Sequence, residues 1–209
     1  MQSTKVKKKS SFTPIEKKWI MYDVGNSAFT LLCSVFIPFI VKDLCEANGI
    51  VDEAYQTFWS IVTSVVTLAV AVISPIVGTF ADSEGMKKPL FLGSALIGIV
   101  GCVLLGMPIP LAAFVAVYVI TRMSYNVSLV FYDSMLTDVT DMERVDKISS
   151  NGYAWGYIGS CIPFIISVGI YILATFGFIS YTVAYIIMFI LNAIWWLCFT
   201  FPLTKSFKQ

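Results

Sequence analysis

The 209 residues are 57% hydrophobic and only 13% charged, with a mean hydropathy of +0.81. That balance makes a water-soluble fold the weak alternative, since the surface of such a domain needs more charge than this chain carries. The net charge of +1 supplies no basic surface, so no nucleic-acid partner is expected.

Residues 1–18 read as a basic tail, with Lys5, Lys7, Lys8, Lys9, Lys17 and Lys18 running directly into an apolar stretch. The stretch 19–41 is about 34 Å long as a helix, enough to cross a bilayer. It exceeds a signal-peptide core and lacks a small-residue cleavage site, so it is expected to be retained as the first span. Further apolar runs predict spans at 54–81, 89–106, 111–135, 149–174 and 181–203, followed by a short tail, 204–209. Between them lie an acidic loop (42–53), a charged loop (82–88), a proline turn at Met107 to Pro110, a charged loop (137–148) and a short turn at Gly177. The expected fold is an all-α membrane protein, a six-transmembrane-helix bundle with no soluble domain.

Orientation follows from lysine and arginine, which resist translocation while acids contribute little. On the side of the N-terminus lie twelve cations: the six tail lysines, Lys87, Lys88, Arg144, Lys147, Lys205 and Lys208. Opposite them lies Lys42 alone. Both termini are therefore expected in the cytoplasm, and the cell membrane of a bacterium is the expected location. Trp19 and Tyr22 at the inner edge, with Tyr55, Trp59, Tyr171, Phe176, Phe178 and Tyr181 at the outer one, fit an aromatic belt.

Polar residues inside spans mark faces turned toward other helices or water. In span one, Asp23, Asn26, Thr30 and Cys33 share one face, and Asp23 reads either as an interfacial acid or as part of the inner mouth of a path. In span two, Thr57, Ser60, Ser64, Thr67, Ala71, Ser74 and Gly78 form a small-residue seam, read as a close helix-packing face in preference to a ligand face. Span four carries the strongest candidates. Arg122 stands near mid-bilayer, where an arginine costs roughly 2.5–3.5 kcal/mol on insertion scales. With Tyr125, Asn126, Leu129 and Asp133 it occupies one broad face, although Arg122 and Asp133 are about 16 Å apart along the axis and cannot pair directly. Arg122 reads either as a path residue or as the anchor of a structural hydrogen-bond network. In span five, Gly152, Gly156 and Ser160 suggest close packing, while Tyr153 and Trp155 are candidates for an aromatic cavity wall and Pro163 for a kink. Trp195 and Trp196 of span six read as interface anchors. The five dispersed cysteines read as small hydrophobes, with no disulfide framework or metal site. Histidine is absent, and there is no His-Glu-x-x-His run or nucleophile–base pair, so neither enzymatic activity nor a cofactor is expected.

The loop after span two reads Gly78-Thr-Phe-Ala-Asp82-Ser-Glu-Gly85-Met86-Lys87-Lys88-Pro-Leu90. Gly78, Asp82, Gly85, Lys87 and Leu90 resemble the signature of the major facilitator superfamily, with Met86 where an arginine is usual. The run Trp19 to Phe29, the run Phe131 to Asp138 and the run Gly152 to Gly159 resemble the vacuole-effluxer-like branch; the sugar:cation symporters fit the start of span one less well. The resemblance implies the N-terminal half of a secondary transporter for a small solute, amino acids among the candidates. On that reading the polar faces of the spans put Asp23, Asn26, Arg122, Tyr125, Asn126, Asp133 and Trp155 along the path or its gates, and the resemblance implies that the Asp82 loop holds one conformation against the opposite half. Complete members have twelve spans. Six here lead us to expect a truncated or split gene first, then a half completed by a separate chain or a homodimer; a non-transporting fragment or assembly subunit is the alternative. The lipid bilayer, the solute and a second six-helix half are the expected partners.

Overall fold

The computed structural model describes residues 11–81, 83 and 85–208. Lys5, Lys7, Lys8, Lys9 and the signature's Asp82 lie outside the described residues. Seven α-helices follow one another: α1 Pro14–Ala47, α2 Asp52–Ala81, α3 Lys87–Leu105, α4 Leu111–Ser134, the single turn α5 Leu136–Val139, α6 Val145–Thr175 and α7 Tyr181–Ser206. A 3-10 turn, Met142–Arg144, leads into α6. Among the described residues, six segments, with α5 continuing α4, are long and apolar enough to cross a membrane, and the chain is a multi-pass membrane protein. An even number of crossings puts both described ends on one side, hereafter the terminal side.

Local chemistry sets the helix ends. Thr13 caps α1 through a capping box: its hydroxyl accepts from the Glu16 amide, and the Glu16 carboxylate accepts from the Thr13 amide at 2.7 Å. The helix consequently starts inside what the sequence suggested was tail. At the far end of α6, Gly177 adopts φ +77°, and Phe178 N–H donates to Leu173 O. This left-handed closure suits a residue without a Cβ. Gly85 of the signature loop has φ +75° for the same steric reason.

Helix α1 is the hub. It packs in parallel against α6 and antiparallel against α7; α7 abuts α3, α3 abuts α4, and α4 carries α2 on its outer flank. Glycines on α6 make the first contact close: a Cβ on Gly152 would sit 2.9 Å from Trp19, one on Gly156 2.8 Å from Asp23, and one on Gly159 2.3 Å from Val24. Across α7, Trp196 fills the space opposite Gly98 of α3, where a Cβ would approach its ring to 2.6 Å.

Three expectations are corrected. Trp195 and Trp196 are not interface anchors: Trp196 is fully buried against Phe29, and Trp195 donates its indole N–H to Val24 O at 3.1 Å. Trp19 and Tyr22 are likewise core residues, 3% and 0% exposed. The α2 seam does not pack inside this bundle. Only Val62, Val66 and Ala81 of that helix are buried, while Thr57, Ser60, Ser64, Thr67 and Ala71 face outward. Hydroxyl periodicity signals a contact face, but not which chain or subdomain supplies the contact. Pro163 is accommodated within an unbroken α6.

Candidate functional site

A cavity of about 230 Å3 opens between α1, α4 and α6. Helix α1 contributes Trp19, Asp23, Asn26, Ser27, Thr30 and Leu31; α4 contributes Tyr125, Leu129, Tyr132 and Asp133; α6 contributes Ser149, Tyr153 and Tyr157. Its α1 wall is the polar stripe at helical spacing, turned inward because the opposite face of α1 is occupied by α7.

The α1–α4 wall is rigid. Trp19 and Tyr132 stack with centroids 4.3 Å apart and exchange hydrogen bonds with each other's backbones: Trp19 Nε1 donates to Tyr132 O at 3.0 Å, and Tyr132 OH donates to Trp19 O at 3.1 Å. One layer deeper, Tyr22 OH lies 3.3 Å from Ser128 Oγ and accepts from Trp196 Nε1 at 3.4 Å. These paired bonds fix the register that brings Asp23 and Asp133 into one cavity, each within the other's electrostatic field.

Within the cavity, Thr30 Oγ1 donates to Tyr125 OH at 2.8 Å, and Tyr125 OH donates to Asn26 Oδ1 at 3.4 Å. Asn26 is 1% exposed. Its Nδ2 leans toward the Asp23 carboxylate without reaching hydrogen-bonding geometry with any group. Ser27 Oγ is 3.5 Å from Asp23 Oδ1, at the limit of a hydrogen bond. Neither Asp23 nor Asp133 has an ion-pair partner among the described residues. The cavity thus offers two carboxylates, an amide donor with spare capacity, hydroxyls and aromatic faces, with no lysine or arginine among the described residues that line it. Such a set receives a group rich in N–H donors and leaves one donor for an acceptor atom beside it.

The sequence candidates separate in space. Asp23, Asn26, Tyr125 and Asp133 line the cavity. Arg122 stands one turn beyond, its guanidinium 5.6 Å from the Tyr125 ring centroid and its Nε without a hydrogen-bond partner. It forms no ion pair among the described residues. Asn126 donates to Arg122 O at 2.7 Å, a bond within its own helix. Trp155 is half exposed and outside the lining; Tyr153 and Tyr157 provide the aromatic wall on α6. Tyr157 was missed although it falls one turn beyond Tyr153, on the same helix face. Of the signature residues, Lys87 bridges to Asp138 Oδ2 at 2.6 Å and donates to Ser134 O at 3.3 Å, so the start of α3 is pinned to the end of α4. Leu90 packs at the edge of the core, and Gly78 has open space where a Cβ would be.

A further cluster on the terminal side has no signature in the linear pattern of residues. Glu16, 2% exposed, accepts from Arg144 Nη2 at 3.0 Å and from Thr140 Oγ1 at 2.6 Å. This ties the start of α1 to the segment between α4 and α6. Lys18 donates to Ser206 Oγ and Lys88 to Phe207 O, fastening the end of α7 to α1 and α3.

A six-helix bundle with a polar cavity on the inner face of its first and fourth spans defines one half of a major-facilitator-type protein. The family model described as "Vacuole effluxer Atg22 like" matches residues 51–139 and 136–209, and the chain belongs to that family. It is also 32% identical over 204 residues to an uncharacterized MFS-type transporter, YxiO, of Bacillus subtilis (strain 168). The match covers 95% of this chain and 47% of the relative, so the chain spans about half the length of the curated relative it matches.

Proposed function

We propose that this chain is the N-terminal six-helix half of a secondary transporter that moves a small solute through the α1–α4–α6 cavity, in the cell membrane of a bacterium and with both termini cytoplasmic. The observation that carries the reading is a cavity with two facing carboxylates and an unpartnered buried amide, in a chain of a family with an MFS-type relative. The twelve-to-one distribution of lysine and arginine supports the orientation.

An amino acid fits the chemistry. Its ammonium would be received by Asp23 and Asp133, and its carboxylate by the Asn26 amide, with Arg122 supplying positive potential from behind Tyr125. The second wall of the path would come from another six-helix half, in the same polypeptide, a separate chain or a second copy, rocking against this one about a midplane axis. The outward seam of α2 and the exposed α6 face around Tyr157, Ile158 and Ile165 are the surfaces suited to it.

The test is amino-acid flux in proteoliposomes holding the complete two-half assembly. Asp133→Asn and Arg122→Ala are expected to abolish flux while the protein inserts at wild-type levels. Wild-type flux in both variants would refute the site assignment.

A further inference from the structure

On the face opposite the terminal side, remote from the proposed path, a second pocket of about 180 Å3 lies between the end of α1, the turn joining α3 to α4, and the first turns of α7. It is smaller than the ~300–1,000 Å3 of drug-sized sites, so its occupant is small. Asp43 is the one charged residue among the described residues that line it, and Tyr181 and Tyr185 share the wall. Behind them Tyr171 completes a triangle of rings, with centroids 5.5 Å (171–181), 6.4 Å (181–185) and 6.3 Å (171–185) apart. Asp43 lies within electrostatic reach of the Tyr171 and Tyr185 hydroxyls.

Asp43 has no ion-pair partner among the described residues. Its sequence neighbour Lys42 is 3.7 Å from Glu46 instead. Lys42 is the only cation of the 42–53 loop, which carries Asp43, Glu46, Asp52 and Glu53. The remainder of the pocket is largely aliphatic, including Leu44, Leu105 and Ile109. A belt of interfacial tyrosines accounts for rings at this depth; Asp43, exposed beside them and within the field of Lys42, adds a carboxylate to the lining. A carboxylate, tyrosine oxygens and ring faces all attract a cation, the acidic loop repels anions, and the aliphatic wall accepts a short carbon chain.

We propose that this pocket binds an alkylammonium group, its nitrogen against Asp43 and the Tyr181 and Tyr185 rings and its carbons against Leu44, Leu105 and Ile109. Two sources carry that chemistry: the ethanolamine headgroup of a phospholipid and a soluble amine.

The full chain in detergent is titrated with n-butylammonium chloride, with n-butanol and sodium chloride as controls, and melting is followed by intrinsic fluorescence. In parallel, lipid retention is measured by native mass spectrometry after incubation with phosphatidylethanolamine or phosphatidylglycerol. A saturable rise in Tm with butylammonium and neither control, reduced at least tenfold in apparent affinity in Asp43→Asn and weakened in Tyr181→Ala, establishes a soluble-amine site. Selective retention of phosphatidylethanolamine that Asp43→Asn loses establishes a headgroup site. Equal behaviour of Asp43→Asn and wild type in both arms, with matched Tm in the absence of ligand, overturns the proposal, as does butanol acting as well as butylammonium.

Discussion

The buried Glu16–Arg144 pair is the most exposed point of the structural reading to experiment. The Glu16 side chain is 2% exposed and that of Arg144 16%, with 3.0 Å between them. The same carboxylate accepts from the Thr13 amide and the Thr140 hydroxyl. Truncation in Glu16→Ala removes three hydrogen bonds to a charged acceptor and leaves the guanidinium mostly covered without a counter-ion. Breaking a buried pair from one side costs about 3–5 kcal/mol. Because Arg144 retains some access to water, we expect less than that, about 2–3 kcal/mol, including roughly 1 kcal/mol from the broken capping box. Glu16→Gln keeps an acceptor and loses the charge, for about half the effect. The assay is reversible unfolding in mixed detergent micelles for Glu16→Ala, Arg144→Ala and the double variant. A coupling of about 1–2 kcal/mol is expected. Additivity of the two single changes to within ~0.5 kcal/mol would show that the pair contributes nothing of its own and would refute the tie between α1 and the α4–α6 segment.

Three further outcomes follow from packing. Gly101→Ala would put a Cβ 2.0 Å from Thr121 Oγ1 and should destabilise by about 1–3 kcal/mol, with Thr121→Ala restoring much of the loss in the same unfolding assay. Trp196→Ala empties a fully buried site and should cost about 3–5 kcal/mol, measured as a lower midpoint of detergent unfolding. Gly156→Ala presses on the Asp23 carboxylate at 2.8 Å and on Ser27 Oγ at 3.1 Å; its flux in the two-half assembly should fall further than its stability, whereas an unchanged flux would separate Asp23 from the path.

Much of the fold was legible because hydrophobic run length is a direct physical requirement of the bilayer. The polar stripe of α1 also read correctly as an inward face: Asp23, Asn26 and Thr30 all line the cavity. Where one-dimensional reasoning failed, the same residue type serves two environments. Trp19, Tyr22, Trp195 and Trp196 satisfy a belt pattern by position, yet glycines on neighbouring helices, Gly152 and Gly98 among them, open the room that takes Trp19 and Trp196 inside. The seam of α2 was read with the correct period and the wrong neighbour, since spacing along one helix says nothing of which partner covers it. Arg122 and Asp133 were assigned one space, but three turns of helix set them in different layers. The tie that Glu16 makes to Thr140 and Arg144 could not be foreseen, because these partners stand 124 and 128 residues away in sequence.

The outward α2 face has a consequence for biosynthesis. Thr67 Oγ1 donates to Thr63 O at 2.8 Å and Ser74 Oγ to Val70 O at 2.8 Å, so these two hydroxyls deep in the span are satisfied by their own helix, whereas that of Ser64 faces outward. Thr57 and Ser60, nearer the helix start, lie toward the end where interfacial water reaches. Under the proposed two-half assembly, a newly inserted bundle can therefore rest in lipid with that face uncovered, at modest cost, until a docking surface arrives. Order of synthesis then sets no deadline for assembly, because the waiting face is already tolerable to the membrane.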